Sequence, residues 1–221
     1  MSLLPPIRNS LLLCYVTDRR QLSISKDEQC ARLTVKIAEL AAAGVDWIQI
    51  REKDLGGAQL SVVAREAIAK VGPSCRIIVN DRLDVACAAG AAGVHLGENS
   101  ISVRDARSFA RDRGMGKDFL IGASVHSLEA AKTAGADGAD YILFGPVFAT
   151  PSKVSFGAPQ GLGRLKGICG GLAIPVLAIG GITTQNAAEC YRQGAYGMAG
   201  IRIFQDARDP DDLVKQLRSK T

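Results

Sequence analysis

Gln49, Arg51 and Lys53 place an amide and two cations at alternate positions. In extended chain, residues two apart point to the same side, so these three could line one face of a site. Asn80-Asp81 adds a carboxamide and a carboxylate, and Glu98 a further carboxylate. The segment Thr150-Pro151-Ser152-Lys153 supplies hydroxyls and another cation. Cations beside a carboxylate form the donor set of a phosphate bound with Mg²⁺, which takes one or two carboxylates and fills its shell with phosphate oxygens and water. A second group is different: Gly180-Gly181 and Gly200-Ile201-Arg202 pair glycine-containing backbone with one cation. Glycine lets backbone N–H groups approach an anion closely. Two phosphate sites and one metal fit a diphosphate substrate and a monophosphate co-substrate.

Each feature also has a plainer reading. Arg51 and Lys53 can be solvated loop charges, and Asn80-Asp81 a turn or a helix N-cap. His95 lies in a strand-like segment and His126 beside an expected helix start, both common settings of structural histidines. Trp47 reads as core. The six cysteines, at 14, 30, 75, 87, 169 and 190, form no C-x-x-C pair. Several sit in apolar runs, so the expectation is buried free thiols in a reducing compartment.

The elements that must position these groups alternate along the chain. Apolar runs at 11–16, 45–50, 77–79, 94–96, 119–123, 141–144, 175–179 and 196–200 read as strands. Between them, apolar residues recur at helical spacing, as in Leu33, Ile37, Leu40 and Ala41, or Leu60, Val63, Ala67 and Val71. Helices are expected at 28–43, 82–90, 103–113, 127–134, 162–169, 184–193 and 210–219, with another on the Leu60–Val71 stripe that Gly72-Pro73 ends. Eight strand-helix units predict a single (β/α)₈ barrel over residues 11–221, with 1–10 as an N-terminal extension. A doubly wound open sheet is the alternative, but eight units with no separate cap region favour closure. A glycine leads into every second strand, at Gly44, Gly93, Gly138 and Gly194, an internal echo of paired units. In such a barrel the chemistry sits at the C-terminal strand ends, where the residues above fall, along with Thr17, Asp18 and Ser124. Thr183 reads as the N-cap of the helix at 184, and the long loop 145–161 as a cover for the mouth.

Composition narrows the function class. Hydrophobic residues make up 47% and charged residues 22%, too apolar for a disordered chain. The net charge of +5 points to a mildly basic enzyme or to an anionic partner. No run of five basic residues and no aromatic-basic RNA-binding motif occurs, so a phosphorylated metabolite is favoured over nucleic acid. No apolar stretch reaches the ~18 residues of a membrane span, and no signal-type segment is evident, so no membrane partner and a cytoplasmic location are expected. The sequence leaves a homo-oligomer open.

As a set and in order, Tyr15-Val16-Thr17-Asp18, Gln49-Ile50-Arg51-Glu52-Lys53-Asp54, Val79-Asn80-Asp81, Gly93-Val94-His95-Leu96-Gly97, Gly145-Pro146-Val147-Phe148-Ala149-Thr150-Pro151-Ser152-Lys153 and Gly180-Gly181-Ile182-Thr183 resemble the thiamine phosphate synthase family, from about 11 to 216. The resemblance implies a transferase joining an aminopyrimidine methyl diphosphate to a thiazole phosphate, with release of pyrophosphate. It further implies that Gln49, Ile50, Arg51, Glu52, Lys53 and Asn80 hold the pyrimidine diphosphate and that Asp81 binds Mg²⁺. Lys153 would grip the leaving pyrophosphate, and Ser124 would lie against the reacting pyrimidine or pyrophosphate. Thr150, Pro151, Ser152, Gly181, Ile201 and Arg202 would hold the thiazole phosphate. Catalysis would then rest on Lys153, Arg51, Lys53 and Ser124 through electrostatics and positioning, consistent with no evident Ser-His or Cys-His nucleophile set.

Two positions depart from the family pattern. Ser100 stands where the family usually has a second metal-binding Asp, and Glu98, two residues earlier, is the expected substitute. Arg202 replaces a small residue at the phosphate site. The related thiazole tautomerases carry a catalytic His where this chain has Pro146. Lys53, Lys153 and Pro146 therefore favour the synthase, with a tautomerase-like isomerase or a non-catalytic binding protein as alternatives.

Overall fold

A computed structural model of the chain describes residues 11–23, 25–116, 118–150 and 158–219. The expected extension at 1–10 lies outside the described residues. Eight parallel strands close a barrel in sequence order. They are β1 (Leu12–Val16), β2 (Trp47–Ile50), β3 (Arg76–Asn80), β4 (Gly93–Leu96), β5 (Leu120–Val125), β6 (Tyr141–Phe144), β7 (Val176–Ile179) and β8 (Gly197–Gly200). Outside them run α1 (Lys26–Ala42), α2 (Gly57–Val71), α3 (Leu83–Ala89), α4 (Val103–Asp112), α5 (Leu128–Ala136), α6 (Gly161–Gly170) and α7 (Ala187–Arg192). A short α8 (Arg202–Gln205) follows β8 directly, before α9 (Pro210–Ser219). The short helix was absent from the sequence expectation, because four residues carry too little periodicity to register.

The period of two along each strand separates two apolar layers. Cys14, Trp47, Ile78, Leu120, Tyr141, Leu143 and Leu177 fill the barrel. Their sequence neighbours Tyr15, Ile48, Ile50, Val79, Ile121, Ile142 and Phe144 face outward against the helices. The helical stripes read from sequence supply the other side of that layer: Leu33, Ile37, Leu40, Leu60, Val63 and Ala67 are all buried. Each such large apolar side chain contributes roughly 1.5–3 kcal/mol when removed from water. Inside the barrel, the Tyr141 ring lies across β5 where Gly122 has no side chain. A Cβ on Gly122 would fall 2.1 Å from the ring.

The glycine echo holds at three of its four positions. Gly44, Gly138 and Gly194 have φ of +97°, +99° and +92° and reverse the chain between helix and strand. Gly93 is instead within β4, pressed against the backbone of Leu120.

Candidate active site

The inward face of β2 and β3 ends in a chain of amides whose orientation is forced. Asp81 can only accept, so it takes a hydrogen bond at Oδ2 from Asn80 Nδ2, at 2.7 Å. That turns Asn80 Oδ1 toward Gln49, whose Nε2 donates to it at 2.8 Å. Gln49 Oε1 is thereby aimed into the barrel, buried and without a partner among the described residues. A buried acceptor left unmet costs about 1–3 kcal/mol, so this atom awaits a donor.

The β2 end is more elaborate than alternation implied. β2 stops at Ile50, and Lys53 sits exposed on the following turn. Ile50 points outward into the helix-facing core, so only its backbone can reach a ligand. Glu52 is buried beneath the turn. Its carboxylate accepts from Thr17 Oγ1 at 2.5 Å, from the Arg19 N–H at 3.1 Å and from Arg19 Nη1 at 2.9 Å. Arg19 also holds Asp54 in a fork at 2.7 and 2.9 Å. Thr17 Oγ1 accepts in turn from the Arg51 N–H at 2.9 Å. Thr17 and Arg19 therefore pin residues 51, 52 and 54 and hold Lys53 between them. Glu52 is a support of the site, its carboxylate fully occupied. A cleft of about 250 Å³ opens here between Lys53, Asn80, Asp81 and Arg82, with Leu55 and Leu60 as its apolar wall.

Asp81 itself has a φ of 61°, rare outside glycine. Its N–H donates to the His95 carbonyl at 2.8 Å, tying β3 to β4. Its Oδ1 accepts from the Gly97 N–H at 3.1 Å and from the Ser100 hydroxyl. Partial burial opposes ionisation, but hydrogen bonds from Ser100 and Gly97 and the charge of Lys53 outweigh it. The carboxyl is held below its usual range. Asp81 is thus an ionised carboxylate beside a hydroxyl and a lysine, a donor set that fits one edge of a Mg²⁺ shell completed by phosphate and water. Glu98 makes no hydrogen bond to Asp81 among the described residues. It is exposed, with its carboxylate 3.6 Å from His126 Nε2. Among the described residues no three His, Cys, Asp or Glu side chains converge as a metal cluster.

Deeper in the barrel, Ser124 Oγ lies 2.8 Å from His95 Nε2, and His95 Nδ1 lies 3.2 Å from the Tyr141 hydroxyl. Burial pushes the His95 imidazole down to about 3, with the charge of Arg51 adding to it and Asp81 opposing, so the ring is neutral. Tyr141 also meets Trp47 edge-on, with ring centroids 4.8 Å apart. His126, in contrast, donates from Nδ1 to the Gly145 carbonyl at 2.6 Å and braces the start of the long loop.

The second group sits across the mouth. Gly180 and Gly181 have φ of +96° and +66°. Their lack of side chains is demanded by the segment after β6. A Cβ on Gly181 would fall 2.4 Å from the Ala149 carbonyl, and one on Gly180 would fall 2.5 Å from Pro146. Thr183 does not start the helix at 184. Its hydroxyl accepts from the Gln185 and Asn186 N–H groups at 3.3 and 3.4 Å, and α7 begins at Ala187. Asn186 Nδ2 donates to the Gly181 carbonyl at 3.1 Å and fixes the turn. Ile201 caps α8 and exposed Arg202 opens it directly after β8, the strand paired with β7, so both fall in the loops that hold phosphate in many barrels of this kind. Thr150 is half-buried at the rim. Pro151, Ser152 and Lys153 lie outside the described residues.

Sequence reading did not assign Arg19, Arg82 or Tyr141. Parity along the strand offered one signal: Tyr141 shares its inward side with Leu143. The partners of Arg19 and Arg82 come from tertiary approach alone.

Comparison with known proteins identifies the family. Residues 15–204 match the family model described as thiamine monophosphate synthase. The chain is 45% identical to the thiamine-phosphate synthase of Methanoculleus marisnigri, over 86% of this chain and 88% of that protein. It is 39% identical to a putative thiamine-phosphate synthase of Geobacter sulfurreducens, over 93% and 92%. The solved structure of thiamine phosphate pyrophosphorylase from Pyrococcus furiosus superposes with a TM-score of 0.78 at 32% identity, over 96% of both chains. A barrel closed in sequence order, with amide, carboxylate and cations at its C-terminal strand ends, belongs to the thiamine monophosphate synthase family.

Proposed function

We propose that this chain is a thiamine-phosphate synthase, a transferase joining an aminopyrimidine methyl diphosphate to a thiazole monophosphate. The observation that carries the reading is the buried Oε1 of Gln49, unpartnered among the described residues, at the floor of a cationic mouth. An exocyclic amino group of the pyrimidine supplies the donor it lacks, and the attached diphosphate then reaches outward to Asn80, Arg51, Lys53 and Lys153. Ser124 contacts the same substrate from β5. Thr150, Pro151, Ser152, Gly181, Ile201 and Arg202 hold the thiazole monophosphate. Asp81 is the protein ligand for Mg²⁺, with Ser100 at its side. When bound, Mg²⁺ neutralises charge on the diphosphate oxygens.

The chain's own part is electrostatic. The methyl carbon–oxygen bond breaks and pyrophosphate departs with the electron pair. Arg51, Lys53 and Lys153 stabilise that developing charge. The thiazole nitrogen then forms the new carbon–nitrogen bond, so positioning two substrates takes the place of an enzyme nucleophile. Among the described residues no helix is long and apolar enough to cross a membrane.

Steady-state kinetics on single variants test the division into two half-sites. Lys53→Ala is expected to raise KM for the diphosphate substrate and leave that for the monophosphate nearly unchanged. Arg202→Ala is expected to do the reverse. Equal effects of each variant on both constants would overturn the assignment.

A further inference from the structure

We infer that Tyr141 and His95 are positioning residues that fix Ser124 as a hydrogen-bond donor to the substrate rather than as a nucleophile. The inference rests on the placement of Ser124 in the substrate pocket proposed above.

The Ser124–His95 pair, at 2.8 Å, has the spacing of an activated serine. Its polarity is the reverse. A histidine that takes a proton from serine needs an unprotonated Nε2, with Nδ1–H held by an acceptor such as a carboxylate. Here Nδ1 faces the phenol of Tyr141 at 3.2 Å, and among the described residues no carboxylate is hydrogen-bonded to the ring. Tyr141 is fully buried, with Trp47 against one side of its ring and Gly122 beneath it. Its hydroxyl has no other hydrogen-bond partner among the described residues. A buried O–H proton needs an acceptor, and Nδ1 is the one available. The phenol therefore donates to Nδ1, and the neutral ring carries its proton on Nε2. That proton goes to Ser124 Oγ, whose own O–H is left free to point into the mouth. The opposite arrangement would leave the Tyr141 proton buried with nothing to accept it.

The consequence is a fixed pattern on the pocket floor. Gln49 Oε1 presents an acceptor from β2, and Ser124 presents a donor from β5. A ring that donates from an amino group and accepts at a neighbouring nitrogen or ester oxygen meets both.

The test reads the ring of the free, full-length protein by ¹⁵N NMR with labelled histidine. The chain has only two histidines, so His126→Gln leaves the His95 signals alone. The expected result is a single tautomer with the proton on Nε2. A proton on Nδ1 would overturn the inference. Tyr141→Phe, which keeps the packed ring, removes the donor to Nδ1, so the single tautomer is expected to give way to a mixture of the two. It is also expected to lower kcat by roughly tenfold, the worth of about one hydrogen bond. An undiminished, single Nε2–H tautomer in Tyr141→Phe would contradict the orienting role of the phenol. Because the ring is read without substrate, an inactive wild-type chain would overturn the synthase reading and not this one.

Discussion

The Ser100 hydroxyl donates to Oδ1 of Asp81, the oxygen that also accepts from the Gly97 N–H. Asp81 therefore faces a hydroxyl where a second carboxylate would complete a two-acid metal site. Ser100→Asp replaces that donor with a like charge. Without metal the variant is expected to melt below the wild type. With Mg²⁺ the two carboxylates become joint ligands, so the metal-induced rise in Tm should exceed that of the wild type. Binding of Mn²⁺ as a probe, followed by electron paramagnetic resonance, should tighten by about tenfold or more, a gain of ~1.4 kcal/mol. Unchanged affinity would place the metal away from Asp81.

Arg19 and Glu52 form an ion pair whose side chains are 9% and 1% exposed. Breaking one partner of such a buried pair costs about 3–5 kcal/mol, because the other charge is left uncompensated. Arg19→Ala should show that loss in denaturant unfolding. It should also raise KM for the diphosphate, since the turn carrying Lys53 loses its support. The double variant Arg19→Met with Glu52→Gln removes both charges and is expected to regain much of the stability but not the affinity. Recovery of both would reduce the network to a purely structural role.

Gly181→Ala asks for φ of +66° and a Cβ 2.4 Å from the Ala149 carbonyl. A loss of about 1–3 kcal/mol is expected from strain of this kind. The segment after β6 must also shift, so KM for the monophosphate should rise more than KM for the diphosphate. A variant with wild-type Tm would show that the two loops do not meet this closely.

The buried His95 makes stability depend on pH. Its folded pKa of about 3 lies below the value near 6.5 of an unfolded chain. Between these values the unfolded state binds more protons than the folded one, so stability falls as pH drops below about 6.5. The slope approaches ~1.4 kcal/mol per pH unit. Asp81 works in a lower window: its depressed carboxyl contributes stability above about 3.9 that is lost only on further acidification. Melting curves from pH 7 to 5 should therefore show the histidine slope, and His95→Gln should flatten it. An equal slope in both proteins would mean that the ring is not buried in its neutral form.

The barrel was legible because parity and helical spacing are local. The stripe Leu33, Ile37, Leu40 and the inward pair Gln49 and Asn80 can be read one segment at a time. The ends of elements were less so. Thr183 has the side chain of an N-cap, yet its hydroxyl organises a turn and α7 starts at Ala187. Gly180 and Gly181 read as an anion cradle in sequence, whereas their immediate demand comes from Pro146 and Ala149, far away in the chain. Glu52 has the same chemistry as Asp81 on paper. Only Thr17 and Arg19, brought in by β1, show that its carboxylate is occupied. Residues 95, 124 and 141 each face inward by parity, but their convergence depends on the closure of the barrel.

The central claim is tested most directly by pyrophosphate release from the wild-type chain. The assay supplies the aminopyrimidine methyl diphosphate and the thiazole monophosphate, together and singly, with and without Mg²⁺. Stoichiometric pyrophosphate and thiamine monophosphate are expected only when both substrates and Mg²⁺ are present. No release at saturating substrates, or isomerisation of the thiazole phosphate alone, would contradict it.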